Sequence, residues 1–183
     1  MKDIQIIIVV ETNVVTRSDD VYYSWLLKNY FTNYVSSKGY KGLRIRYKFV
    51  YMDGKTNYNS SDVQHDIMVF TKEFALGASY VVYCFDVDTK AKKNQTFIKE
   101  VQNYCLTNDY FLSFAYPEIE IPLGVPASLG SKHDRAVHFS KNYPKKSSFP
   151  SSNFYVPVGV VPLTPGLTNF CAVIQEIINR CTC

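Results

Sequence analysis

The sequence predicts an α/β protein with a mostly parallel sheet and helices on both of its faces. Strand-like and helix-like segments alternate from the start of the chain to about residue 116, as in right-handed β-α-β units. Several strand-like segments are continuous apolar runs, which is typical of parallel strands buried on both faces. The length of 183 residues and the composition, 46% hydrophobic and 20% charged, suit one packed domain.

The first strand and the first helix have clear signals. Ile4–Val10 is an apolar run rich in β-branched residues, and Glu11 follows it directly. Residues 18–20 (Ser-Asp-Asp) offer an N-cap, after which Val21, Trp25 and Leu26 recur at helical spacing. The sequence therefore predicts a buried strand followed by a helix that packs on the sheet.

The next elements continue the alternation. The second strand has one charged face, which predicts a position near a sheet edge, because Ile45, Tyr47, Phe49 and Tyr51 alternate with Arg44, Arg46 and Lys48. The second helix has one apolar face, made by Val63, Ile67, Phe70 and Phe74. A third strand at Ser79–Phe85, a helix from about Asn94 and a fourth strand at Tyr110–Ala115 follow.

The regular pattern stops after the fourth strand. Residues 117–165 are rich in proline and basic residues, so we expect an irregular insertion with one strand at Tyr155–Val161. Thr168 caps a last helix, whose buried face is formed by Val173, Ile174, Ile177 and Ile178. Because no linker or internal repeat divides the chain, residues 1–183 are predicted to form a single domain.

The positive charge of the chain is concentrated in one segment of this insertion. Residues 132–146 contain one acid, Asp134, and five cations, so the segment alone has the net charge of +4 of the whole chain; the cations are Lys132, Arg135, Lys141, Lys145 and Lys146. His133 lies in the same segment. Such a segment indicates either a binding surface for phosphate, and so for nucleic acid, or a solvated loop that aids solubility.

The chain shows no sign of membrane insertion or of a disulfide framework. No apolar run reaches the roughly eighteen residues of a membrane span, and the apolar start lacks a small-residue cleavage site. Cys84 lies within an apolar run and indicates core, whereas Cys181-x-Cys183 is either a metal or redox pair or a frayed end. We therefore expect a cytoplasmic protein with reduced thiols and no membrane association.

Three carboxylates follow predicted neighbouring strands. Glu11 ends the first strand, and Asp86 and Asp88 follow the third, where alternate residues point the same way. Carboxylates brought together repel one another unless a cation neutralises them, and hard oxygen ligands favour Mg²⁺, or Mn²⁺ in its place. The competing interpretation is that these acids are helix caps or loop residues. The chain has no Walker loop, Gly-x-Ser-x-Gly or zinc-ligand spacing, which disfavours an ATPase, a serine hydrolase and a zinc enzyme.

A strand ending in Glu, two β-α units and a strand ending in Asp-x-Asp together resemble the Toprim domain of topoisomerases, primases and OLD-type nucleases. The resemblance is closest to small RloB-like proteins of bacterial phage-defence loci. Tyr116–Glu120 resembles the Asn-Pro-x-Phe-Glu stretch of that family, Thr164–Asn169 its Asn-Pro-x-Thr-Asn stretch, and Tyr22-Tyr23 its Tyr-Phe pair. The chain departs from the family at Thr12, where glycine is usual after the first Glu.

The resemblance implies a Rossmann-like fold and metal-assisted attack on a phosphodiester. It assigns catalysis and metal binding to Glu11, Asp86 and Asp88, and it adds Glu120 as a further metal ligand. It implies that the basic segment binds the backbone of a nucleic acid, either DNA or RNA. It also implies an ATPase or nuclease partner encoded in the same operon. Two functions stay open: a Mg²⁺-dependent nuclease, and a non-catalytic module that binds nucleic acid, nucleotide or a partner protein. Thr12 favours the second, because glycine lets the backbone approach a phosphate.

Overall fold

The computed structural model of this protein describes residues 2–40, 42–75, 77–87, 91–142 and 152–182. Its regular elements are β1 (Lys2–Val10), α1 (Ser18–Ser37), β2 (Leu43–Tyr51), α2 (Ser61–Glu73), β3 (Ala78–Asp86), α3 (Ala91–Thr107), β4 (Phe111–Tyr116), α4 (Lys132–Asn142), β5 (Leu167–Thr168) and α5 (Phe170–Thr182). The strand and helix alternation predicted as far as β4 is confirmed.

The five strands form one sheet in the order β2-β1-β3-β4-β5. The first four are parallel to their neighbours, whereas β5 pairs antiparallel with β4. On β1, Ile4 lies between Ile45 of β2 and Ala78 of β3. β1 is therefore an interior strand, as its apolar run predicts, and β2 is an edge strand, as its charged face predicts.

Helices cover both faces of the sheet, which confirms the predicted fold class at the level of an α/β protein with a mostly parallel sheet. Successive side chains of β1 point to opposite faces, so Ile6 and Ile8 enter one core while Ile7 and Val9 enter another. The first core is completed by side chains of α1, α4 and α5, and the second by side chains of α2 and α3. Burial on two faces explains why β1 is apolar throughout.

Two helices begin at side-chain caps, and the one at Thr168 was predicted. Ser60 Oγ accepts a hydrogen bond of 3.4 Å from the backbone N–H of Val63 at the start of α2. Thr168 Oγ1 accepts one of 3.2 Å from the N–H of Phe170 at the start of α5. The predicted apolar face of α5 is fully buried.

The region from 117 to 165 differs from its prediction in two ways. It contains helix α4 and two short 3-10 turns, Ala127–Leu129 and Ser152–Phe154, where we expected an irregular chain. The strand predicted at Tyr155–Val161 is wrong, because its residues form no ladder, and β5 lies at Leu167–Thr168 instead. Pro157 lacks an N–H donor and Gly159 has a φ of 82°, so this apolar segment cannot continue as a strand.

The cysteines fall mostly in the core. Cys84 is buried on β3, as predicted, and Cys181 is buried near the end of α5, while Cys183 lies outside the described residues. Within the described ranges, no helix combines the length and the apolar character that crossing a membrane requires.

Candidate functional site

The candidate site lies where the strand order reverses. From β1 the chain goes to β2 on one side and then to β3 on the other, so a crevice opens beyond the carboxyl ends of β1 and β3. Glu11 follows β1 directly, and Asp86 is the last residue of β3. Parallel α/β sheets place their ligands at this position, so these two acids stand at the expected edge.

Glu11 is held against Asp86 by the backbone. Its Oε1 accepts a hydrogen bond of 2.8 Å from the N–H of Asp86. Its own carbonyl accepts one of 2.9 Å from the N–H of Gly54, in the loop after β2. Burial raises the pKa of Glu11 to about 8, and the nearby charge of Asp86 adds to this effect. Asp88, predicted as the third member, lies outside the described residues.

Both oxygens of Asp86 have partners. Oδ1 accepts a hydrogen bond of 3.1 Å from the backbone N–H of Ile119, and Oδ2 lies 3.0 Å from the ammonium nitrogen of Lys132. Burial raises the pKa of Asp86 to about 6, although the positive charge of Lys132 acts in the opposite direction. Asp86 therefore links β3, the turn after β4 and helix α4.

Lys132 joins Asp86 to a second acid, Asp19. Its Nζ lies 2.9 Å from Oδ1 of Asp19, which is 4% exposed in the first turn of α1. Burial alone would lower the pKa of Lys132, but the charges of Asp86, Asp19 and Glu120 outweigh it and hold that pKa above its usual range. The sequence predicts Asp19 only as part of a helix cap. Nothing in its local context distinguishes a helix cap from an ion-pair partner of a distant lysine.

A capping arrangement at α4 places Lys132 in the site. The Oγ of Ser131 accepts a hydrogen bond of 3.2 Å from the N–H of Asp134, and the N–H of Ser131 donates one of 3.1 Å to Oδ2 of Asp134. This reciprocal cap starts the helix at Lys132. Further along α4, the ring of Phe139 packs on those of Tyr22 and Trp25.

Glu120 completes the group of acids from the turn after β4. Its side chain is fully buried, and neither carboxylate oxygen has a hydrogen-bond partner among the described residues. Nη2 of Arg135 lies 3.7 Å from Oε1. Burial raises the pKa of Glu120 to about 7, with Lys132 opposing the rise. The hydroxyl of Tyr22, also fully buried, likewise lacks a described hydrogen-bond partner, and the charge of Glu120 adds to burial in raising its pKa.

Glu11, Asp19, Asp86 and Glu120 are called the acid cluster below. Their oxygens are the hard donors that Mg²⁺ and Mn²⁺ take, and the buried carboxylate of Glu120 without hydrogen bonds fits a cation. Among the residues that the structure describes, no three acidic, histidine or cysteine side chains converge around one point as metal ligands do. The positive charge that offsets the carboxylates of Asp19 and Asp86 in this arrangement is that of Lys132.

The predicted nucleic-acid contacts that the structure describes divide into two groups. Lys132 and Arg135 form ion pairs, the latter at 2.9 Å from Oε2 of Glu118. His133 and Lys141 are exposed on α4. Lys145 and Lys146 lie outside the described residues. The structure thus brings Glu11, Asp86, Glu120 and Lys132 together and leaves His133 and Lys141 on the surface.

A separate cleft of about 300 Å³ lies at the opposite end of β4. It is lined by Phe111 at the start of that strand and by Leu106, Val158 and Arg180. Because Glu120 lies beyond the carboxyl end of β4 and Phe111 begins it, this cleft takes no part in the acid cluster.

Comparison with protein-family models, with curated proteins and with solved structures gave no match to this chain. The described residues form an α/β fold with a five-stranded, mostly parallel sheet, and the Toprim resemblance stays a prediction.

Proposed function

We propose that this chain is a Toprim-type enzyme that depends on Mg²⁺ or Mn²⁺ and acts on phosphodiester bonds of nucleic acid. The observation that carries the proposal is the 2.8 Å hydrogen bond between Glu11 and the backbone of Asp86, at the reversal of strand order. It supports the proposal because two acids distant in sequence share the edge where such sheets bind phosphates.

Asp86 and Glu120 are the candidate metal ligands of the described part of the chain, and Asp88 would join them. When bound, the metal ion supplies Lewis-acid polarisation of the phosphoryl group. Glu11 is the candidate general acid, because a carboxyl group with a pKa of about 8 retains its proton at neutral pH. In this scheme, a water molecule would attack phosphorus and lose a proton to solvent, the ester P–O bond would break, and Glu11 would protonate the leaving oxygen. Lys132 would add positive charge near the phosphate.

The proposed partner is a nucleic-acid backbone, DNA or RNA. Exposed Lys141 and His133 support this role, since both lie on the helix whose first residue enters the acid cluster. A function in phage defence, with an operon-encoded ATPase or nuclease partner, rests on the resemblance to RloB-like proteins alone.

A second candidate is a non-catalytic module that binds nucleic acid, nucleotide or a partner protein with the same fold. The ion pairs of Lys132 favour it, because they already place a positive charge between Asp86 and Asp19 without a metal. Thr12 favours it as well, since it adds a side chain where the family has glycine.

A cleavage assay distinguishes the two candidates. Purified protein is incubated with labelled single- and double-stranded DNA and RNA, in Mg²⁺, in Mn²⁺ and in EDTA. We expect metal-dependent cleavage by the wild type, its loss in Asp86→Asn, and its retention in the matched control Asp66→Asn, which alters an exposed acid of α2. Binding without cleavage under all conditions would support the second candidate, and full activity of Asp86→Asn would refute the assigned site.

A further inference from the structure

We propose that Lys132 is a built-in cation that competes with a divalent metal for the acid cluster, so that the metal binds only as the lysine ammonium leaves. This inference rests on the proposed function for the identity of the metal, but its test below does not depend on cleavage.

The position of the ammonium group is the first argument. Its nitrogen lies 3.0 Å from Asp86 and 2.9 Å from Asp19, two carboxylates that come from different elements and are both largely buried. The side chains of Asp86 and Asp19 are 12% and 5% exposed, so the ammonium that contacts both lies inside the cluster, although 29% of the lysine side chain is exposed. A metal ligated by Asp86 would need the oxygen that Lys132 now holds.

The balance of charge is the second argument. With Glu11 protonated, the acid cluster presents three carboxylates, Asp19, Asp86 and Glu120, to one lysine ammonium and to the guanidinium of Arg135, which is shared with Glu118. A divalent ion brings two positive charges where Lys132 brings one, so exchange compensates the cluster more fully. The two oxygens of Glu120, buried without hydrogen bonds, are donors that the lysine leaves unused.

The third argument is that the exchange requires little movement. Helix α4 packs on α1 through the ring of Phe139. Its centroid lies 5.0 Å from that of Tyr22 and 5.4 Å from that of Trp25. Lys132 is the first residue of α4 and has a flexible four-carbon stem that solvent can reach. Rotation of one side chain therefore frees Asp86 and Asp19 while the helix stays in place.

Direct binding of Mn²⁺ tests the competition. Free Mn²⁺ is measured by electron paramagnetic resonance during titration of the wild type, of Lys132→Met and of the control Lys72→Met, which alters an exposed lysine of α2. We expect Lys132→Met to bind Mn²⁺ on the order of tenfold more tightly or better, because a competing charge is gone, and the control to match the wild type. Equal or weaker binding by folded Lys132→Met, or no binding by either protein, would overturn the proposal.

A second measurement uses the wild type alone and covers a variant that fails to fold. The rate of acetylation of Lys132 by an amine-reactive reagent is followed by mass spectrometry with and without Mn²⁺, with Lys141 as the internal reference. Release from Asp86 and Asp19 should make Lys132 react several-fold faster at saturating Mn²⁺. An unchanged or lower rate in metal-bound protein would overturn the proposal, whereas absence of cleavage alone would refute only the proposed enzyme.

Discussion

The Oε1 of Glu11 accepts a 2.8 Å hydrogen bond from the backbone N–H of Asp86, which joins the ends of β1 and β3 at the crevice of the sheet. The same residue, Asp86, holds Lys132 through its side chain. A change at any one of these three residues is therefore expected to affect the other two, and stability, pH dependence and metal binding should be coupled at this site.

The first prediction concerns pH. The pKa of Glu11 rises from an ordinary 4.5 to about 8 on folding, so the folded state binds the proton more tightly than the unfolded state. Stability should therefore fall as pH rises between these values. Glu11→Gln, which keeps the hydrogen-bond acceptor, should be more stable than the wild type at pH 8.5 by about 1–3 kcal/mol and similar to it at pH 4.

Urea denaturation at several pH values measures this difference. Glu73→Gln, at an exposed position of α2, is the matched control and should follow the wild-type pH dependence. An unchanged pH dependence in Glu11→Gln would contradict the assignment of the raised pKa to this residue.

The second prediction concerns the stability contribution of Lys132. Its removal in Lys132→Met leaves Asp86 and Asp19 partly buried without their cation, which should cost about 2–4 kcal/mol at pH 8. The cost should be smaller at pH 5, because Asp86 and Glu120, with pKa values of about 6 and 7, then take up protons. Thermal unfolding at both pH values is the measurement. An equal cost at pH 5 and pH 8 would argue against stabilisation through the ion pairs of Lys132.

The third prediction separates surface cations from internal ones. Lys141 is exposed, whereas Lys132 and Arg135 form ion pairs, so we assign phosphate contact to Lys141. Lys141→Gln should weaken binding to all nucleic-acid sequences alike and flatten the logarithmic salt dependence by up to about one unit. Fluorescence anisotropy at several salt concentrations tests this, with exposed Lys72→Gln of α2 as control, and identical slopes for both variants would exclude Lys141 as a phosphate contact.

The fourth prediction concerns the connection between β4 and α5. The side-chain Oδ1 of buried Asn169 accepts a 2.7 Å hydrogen bond from the N–H of Phe114. Asn169→Ala leaves that N–H buried without a partner and should lower the free energy of unfolding by about 1–3 kcal/mol. Chemical denaturation is the test, and exposed Asn103→Ala should cost much less; equal losses would mean that this hydrogen bond contributes little.

Most of the sheet could be predicted from the sequence because its signals are local. The apolar run of β1 and the alternation in β2 each determine burial on their own, and right-handed β-α-β connections allow β3 beside β1, which is where the structure has it. Once the strand order is known, the proximity of Glu11 and Asp86 follows without knowledge of side-chain contacts.

The ion pairs of Lys132 with Asp19 and Asp86 could not be predicted, because they join elements that are distant in sequence. Helix α4 buries only Ala136 and Phe139 among its described residues. Its sequence is therefore mostly polar and indicates a basic loop. Nothing local indicates that Lys132 turns inward to Asp19 and Asp86 while Lys141 stays in solvent. The apolar segment around Pro157 shows the opposite error, since its valines resemble a strand, but its one described backbone hydrogen bond to a strand, from Val156 to Thr168, does not extend into a ladder.

A crystal structure with Mn²⁺ tests the central claim, that the acid cluster is a divalent-metal site, most directly. Crystals are soaked at a concentration that saturates the protein in solution, and the anomalous difference map locates the ion. We predict a Mn²⁺ peak ligated by Asp86 and Glu120, with the ammonium of Lys132 displaced from its present contacts at 3.0 and 2.9 Å. A map without a peak at the cluster, with Lys132 still bridging Asp86 and Asp19, would contradict the account.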